Sequence, residues 1–201
     1  MLYHNEINPY IFVHNPRTGG TNLSHYLETR LNAIRYVNPW TGLYTSKDGH
    51  LSIRCCNLNI TEYYSFGFVR NPYDREYSIY TLYKNNETIH EYNSFKHWIM
   101  HNFYWPDGHR YYGNHSFLFQ QNEMFNDDVN VFKFEERTDA LAEIADHIGV
   151  VNKDEFINYR GNVNSFKSEP VDYRKMYDQE MLDITWKYFR NDIELYGYSF
   201  D

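Results

Sequence analysis

Cysteine is nearly missing from this chain of 201 residues: the two present, Cys55 and Cys56, are neighbours. Adjacent cysteines rarely bridge, because a disulfide wants a wider Cα separation than consecutive residues comfortably give. A disulfide scaffold is therefore excluded, and reduced thiols in a reducing compartment are expected. No apolar run approaches the ~20 residues of a membrane span. The opening MLYHNEINPY has neither a basic n-region nor an apolar h-region, so it does not read as a signal peptide and a cytoplasmic location is expected. Without secretion the four Asn-x-Ser/Thr triplets, at Asn22, Asn59, Asn86 and Asn114, carry no meaning as glycosylation acceptors. Basic residues are in deficit, 19 against 27 acidic, for a net charge of −8. That balance argues against a nucleic-acid partner, although a local basic pocket is a separate quantity. Alanine occurs only four times, and neither an internal repeat nor a low-complexity tract is present. The G-x-x-x-x-G-K-[ST] loop of ordinary ATPases and GTPases is absent as well.

What is abundant is aromatic: 21 Tyr and 14 Phe in a chain that reads as globular. Its length suits one domain, residues 1–201. The organising stretch is IFVHNPRTGGTNLSHYL, residues 11–27. Ile11, Phe12 and Val13 end a short strand, residues 16–21 make a polar turn, and Leu23, Tyr26, Leu27 and Leu31 then recur at helical spacing. A strand, turn and helix in this order aim backbone N–H groups at a helix N-terminus, where the helix dipole and Arg17 favour phosphate or sulfate. The bland alternative is an ordinary Gly-Gly turn beside a solvated arginine.

Residues 1–8 read as a loose lead-in and 9–13 as the first strand. A helix is expected over 18–34, a loop over 35–49, a short element from 50 to 53 and a buried strand over 65–69. A helix follows over 74–84, entered through Pro72, then a loop over 85–93 and a helix from Ser94, as N-cap, to about 104. Further on, the pattern predicts a helix over 115–125, a strand over 129–134 and a helix over 138–148 closed by Gly149. A loop over 158–172 and a last helix over 178–190 complete the chain. Strands alternating with helices predict a three-layer α/β domain, its central, mainly parallel sheet flanked by helices.

The second informative stretch is SFGFVRNPYDREYSIY, residues 65–80. Arg70 falls where a strand ends and Ser78 falls within the next helix. Ligands of open parallel sheets sit beyond the carboxyl ends of strands, so Arg70 and the turn at 16–21 can share a crevice. Arginine grips a phosphate with two N–H bonds, and a serine hydroxyl can complete the grip.

Together the two stretches are identified as a resemblance. Pro16-Arg17-Thr18-Gly19-Gly20-Thr21 resembles the P-K-T-G-G-T loop of sulfotransferases that use 3′-phosphoadenosine 5′-phosphosulfate (PAPS). Residues 69–80 resemble that family's V-R-N-P-x-D-R-x-x-S-x-Y, closest to its carbohydrate branch of heparan, chondroitin and bacterial enzymes. The resemblance implies a P-loop-like fold and a sulfuryl donor, PAPS, released as 3′,5′-adenosine bisphosphate. It also implies that Arg17, Thr18, Gly19, Gly20, Thr21 and Asn22 hold the 5′-phosphosulfate and that Arg70 and Ser78 hold the 3′-phosphate. The acceptor would be a hydroxyl, on a saccharide in the branch resembled, and no metal is required. The chain departs from the pattern at Arg17, where the family usually has Lys: the charge is kept, but a proton donor is lost.

Weaker likenesses follow. His50 stands where relatives often carry the base that takes the acceptor's proton, which makes His50 and Arg17 the expected catalytic pair. Residues 131–135 resemble a later strand ending in Glu. The segment 162–168, with Asn164 and Ser165, resembles one that closes over the nucleotide, and 188–200, with Asp192 and Tyr198, resembles the close of the domain. His14 and His115 are other candidate bases. Trp40 and Tyr44 are candidate acceptor contacts, as are Tyr104, Trp105, Tyr111 and Tyr112. Arg35, Lys47, Arg54, Lys84 and Arg110 are the cations a polyanionic acceptor would need. His97 and His101 have metal-ligand spacing on a helix but no evident third ligand. Two competing classes stand beside the enzyme: a P-loop nucleotide kinase, and a non-catalytic nucleotide- or glycan-binding module on the same fold.

Overall fold

A computed structural model describes residues 2–36, 52–85, 92–103, 120–161 and 171–201. It shows a mixed α/β domain around a five-stranded sheet. The strands are β1 (Leu2–Asn5), β2 (Tyr10–Val13), β3 (Ile34–Tyr36), β4 (Tyr64–Val69) and β5 (Asn130–Lys133), in the order β3-β1-β2-β4-β5. β2, β4 and β5 run parallel, with Val13 opposite Gly67 and Val69 opposite Lys133. The other two pairings, β1 with β2 and β1 with β3, are antiparallel. The parallel part of the expectation thus describes the three strands that end at the site, and the sheet as a whole is mixed.

The lead-in expected over residues 1–8 is instead β1, an internal strand with all four residues buried. Its side chains alternate between two covered faces, Tyr3 with one cluster and Leu2 with another, so a short, partly polar segment is held by its neighbours rather than by its own pattern. The loop expected over 35–49 gives its first residues to β3, and 37–49 lie outside the described residues.

The helices are α1 (Gly20–Leu31), α2 (Pro72–Asn85), α3 (Phe95–Phe103), α4 (Arg137–His147), α5 (Lys153–Asn158) and α6 (Gln179–Tyr196). α1, α4 and α5 cover one sheet face: Leu23, Leu27, Leu141, Ile144 and Phe156 pack on Tyr3, Tyr10, Phe12, Phe66 and Phe68. The opposite face, Leu2, Ile11, Val13 and Val69, meets the 3₁₀ turn at Ile53, Met124 and Phe125, and the chain beyond α6. α2, α3 and α6 form a third cluster around Trp98, Ile99, Phe189 and Ile193. Burying each such side chain stabilises the fold by ~1.5–3 kcal/mol.

Local signals start and stop the helices. Asn71 Oδ1 accepts from Tyr73 N at the start of α2, and Ser94 Oγ from His97 N at the start of α3. Gly149, at φ 70°, ends the turn after α4. Two further expectations are corrected. Within the helix expected over 115–125, Gln121–Met124 is a single 3₁₀ turn, because its backbone is drawn to Asp192 on α6. The last helix runs to Tyr196, six residues beyond 190, since Asp192 and Ile193 still face the interior. α5 was not anticipated; Asn152 caps it and Phe156 anchors it.

Candidate functional site

The turn after β2 is held by its own side chains. Thr18 Oγ1 donates to Asn15 O at 2.9 Å, and Asn15 Nδ2 donates to Phe68 O at 3.0 Å, which ties the turn to the end of β4. Arg17 (φ 64°) and Gly19 (φ 74°) are both left-handed. For a non-glycine residue that geometry costs ~1–2 kcal/mol and persists only where the surroundings impose it. Here the surroundings grip Arg17 at both ends. Its Nε and Nη2 donate to Ser78 Oγ at 3.0 and 2.8 Å, and its carbonyl accepts from Arg70 Nη1 at 3.0 Å. Gly19 is the N-cap of α1; it offers no capping side chain, and no acid stands in the first turn of the helix. Among the described residues no side chain caps the amide donors of that turn, which suits them to an anionic ligand.

Arg70 is fixed with equal care. Its Nε donates to Asp74 Oδ2 at 2.7 Å, and its guanidinium lies over the Phe134 ring, 4.8 Å from the centroid. Its backbone is clamped by the fully buried Gln121: N donates to Oε1 at 2.9 Å and Nε2 donates back to Arg70 O at 2.7 Å. Gln121 also accepts from Asn15 at 3.0 Å, so one amide joins the ends of β2 and β4. Asp192 holds that amide in place by accepting from Gln121 N at 2.6 Å and Asn122 N at 2.8 Å. Burial raises the Asp192 carboxyl, and these two N–H bonds and Arg75 pull it back. Sequence reasoning missed Gln121 altogether, and no local signal marks it.

Ser78 is buried on α2, and its hydroxyl accepts both bonds from Arg17. A hydroxyl accepting in this way keeps its own proton to donate. The weaker likenesses also converge: Asn71 N donates to Glu135 Oε1 at 2.8 Å, Tyr198 Oη donates to Glu135 Oε2 at 3.1 Å, and Asn71 Nδ2 reaches Ser199 O at 2.7 Å.

Below the turn lies an arginine–carboxyl pair sealed from water. Arg75 and Glu76 are fully buried, with Nη1 donating to Oε1 at 3.3 Å, and Arg75 Nε donates to Pro16 O at 3.3 Å. Burial pushes the Glu76 carboxyl from 4.5 up to about 8, against the opposing pull of Arg75 and a hydrogen bond from Trp98, while Asp192 adds to the rise. Between those two values the folded protein keeps a proton on Glu76 that the unfolded chain has released. Stability from this group is therefore fully present below 4.5 and falls as the pH rises towards about 8. The urea midpoint of the native protein is expected to fall between pH 5.5 and 8, and Glu76→Gln to flatten that fall; equal slopes in both proteins would rule Glu76 out as the cause.

Arg17 thus touches both Arg70, through its carbonyl, and Ser78, through its guanidinium. Thr18 is buried and spends its side chain on the turn, Thr21 is exposed, and Asn22 is half-buried on α1. Gly20 faces the buried His14: a Cβ there would stand 2.2 Å from His14 Cδ2. His14 also stacks on Phe12 with ring centroids 5.7 Å apart, so its place is in the packing. His50, Asn164, Ser165, His115, Trp40, Tyr44, Tyr104, Trp105, Tyr111, Tyr112, Lys47 and Arg110 lie outside the described residues. Arg35 on β3, Arg54 beside Phe125 O and Lys84 over the Tyr80 ring stand on separate elements. Tyr92 packs edge-on against both His97 and His101, and among the described residues no three His, Cys, Asp or Glu side chains cluster as a metal site. Cys56 is half-buried, and burial raises its thiol, which disfavours the thiolate. No described helix is long and apolar enough to cross a membrane.

One cation absent from the sequence reading adjoins the turn. The ideal Cβ position of Gly19 lies 3.2 Å from Arg137 Nε and 2.8 Å from Phe134 Cε2. The chain matches no family model, no curated protein and no solved structure.

Proposed function

We propose that this protein is a PAPS-dependent sulfotransferase acting on an acceptor hydroxyl, on a saccharide in the first instance. The observation that carries the reading is the grip between two segments far apart in sequence: Arg70 on the carbonyl of Arg17, and the guanidinium of Arg17 on Ser78. The residues suit a nucleotide with anions at both ends. Uncapped amides begin α1, Arg17 and Arg70 supply charge, and Ser78 keeps a proton to donate. β2, the turn and α1, beside the parallel β4, form what we read as a P-loop-like unit.

In the reaction, the acceptor oxygen forms a bond to sulfur as the bond from sulfur to the bridging phosphate oxygen breaks. The acceptor's proton passes to a base, and the bridging oxygen leaves with the adenosine bisphosphate. Arg17 and the amides of the turn would hold the charge that develops on that oxygen. Arg17 stays protonated throughout, so it stabilises by charge alone.

Thermal shift tests the donor site: 3′,5′-adenosine bisphosphate is expected to raise the melting temperature, and ATP with magnesium not to match it. Turnover of labelled PAPS against sugars, phenols and lipids then separates an enzyme from a binding module and identifies the acceptor. His50→Ala is expected to lower turnover far more than nucleotide affinity; turnover within a few-fold of the native value would place the base elsewhere.

A further inference from the structure

We propose that Arg137 is a binding residue for the terminal oxyanion of the ligand held at the glycine turn, the sulfo end of a phosphosulfate. The assignment of the sulfo group rests on the donor reading above; the contact with a terminal oxyanion does not.

Four arginines lie in or against the turn, and their charges are spent differently: Arg75 is buried beside Glu76 and donates to Pro16 O. Arg70 is paired with Asp74 at 2.7 Å, and Arg17 donates twice to Ser78. Arg137 is the first residue of α4; its backbone N–H donates to Phe134 O, but its guanidinium makes no hydrogen bond and no ion pair among the described residues. Its Nε nevertheless stands 3.2 Å from the point a Gly19 Cβ would occupy, so the guanidinium lies over the turn where only a glycine leaves room. Phe134, whose ring carries Arg70 on one side, also closes on Gly19 and lines the same spot.

The charge is costly where it stands. Burial, with a smaller contribution from the repulsion of Arg160, lowers Arg137 to about 10. A guanidinium largely shielded from water, repelled by another cation and lacking a carboxylate among the described residues, is stabilised when an anion enters between it and the turn. Arginine presents its N–H groups as a planar fork, which matches a sulfo or phosphoryl group bidentately.

Inorganic pyrophosphate, two linked oxyanions without a nucleoside, is the direct probe. Titration calorimetry on the full chain compares the native protein, Arg137→Gln and Arg137→Lys, each checked for folding by its melting curve. Arg137→Gln is expected to weaken pyrophosphate about tenfold or more, with Arg137→Lys in between. Binding of 3′,5′-adenosine bisphosphate, which lacks the terminal group, is expected to change about threefold or less. Equal pyrophosphate affinity in the native and Gln proteins overturns the assignment, as does a native protein that does not bind pyrophosphate. Should the Gln variant not fold, an Arg137→Lys protein with native pyrophosphate affinity overturns it too. Native binding of pyrophosphate but not of the adenosine bisphosphate would sink the nucleotide reading and leave Arg137 to be judged by pyrophosphate alone.

Discussion

Replacing Arg70 with alanine is expected to weaken 3′,5′-adenosine bisphosphate about a hundredfold, the largest loss of any single change in the site. Each charge-assisted hydrogen bond to a phosphate is worth ~1.5–3 kcal/mol, and a guanidinium can make two. The substitution does more than remove donors. Asp74 would be left unpaired beside the anion it must then repel, and the Arg17 carbonyl would lose the N–H that fixes its left-handed turn. Folding should suffer little, because the pair is partly open to water, 17% and 24% exposed. Ser78→Ala removes one hydroxyl and frees Arg17, and about a tenfold loss is expected. Calorimetry on both variants checks the pair of values; native affinity in both would show that the 3′-phosphate is not held there.

Substitution of the neighbouring glycines should separate stability from binding. Gly20→Ala is expected to destabilise the fold by ~2–3 kcal/mol and to lower the melting temperature by roughly 5–10 °C. Its Cβ would stand 2.2 Å from Cδ2 and 2.4 Å from Nε2 of His14, a ring that is itself buried against Phe12. Gly19→Ala meets a softer obstacle. The left-handed φ costs ~1–2 kcal/mol, and the Cβ would press the Phe134 ring and the Arg137 side chain outward. It should therefore cost ligand affinity out of proportion to its effect on melting. Melting curves and pyrophosphate titrations on the two variants compare the glycines; a Gly20→Ala protein that melts with the native one would show that His14 has room to move.

The segments legible in the sequence are those whose signals are local. The apolar triplet before Asn15, the glycine pair and the helical spacing after it mark β2, the turn and α1. The run before Arg70 and the proline after it mark β4 and α2 in the same way. These signals work because a strand end, a left-handed turn and a helix start each depend on a few consecutive residues. β1 carries no such signal: four partly polar residues become an internal strand only because β2 and β3 pair with them. Asn164, Ser165 and His50, read from likeness alone, lie outside the described residues.

By itself the chain determined that a glycine turn and an arginine each follow an apolar strand, since backbone conformation over a few residues is set by those residues. Only the tertiary structure decided that Arg70 reaches the carbonyl of Arg17, that Gln121 and Asp192 clamp Arg70 from behind, and that Arg137 overhangs Gly19. Those contacts depend on strand order and on the faces that α2, α4 and α6 turn inward. Side chains from distant segments meet only when long-range packing supplies the free energy to close the loops between them.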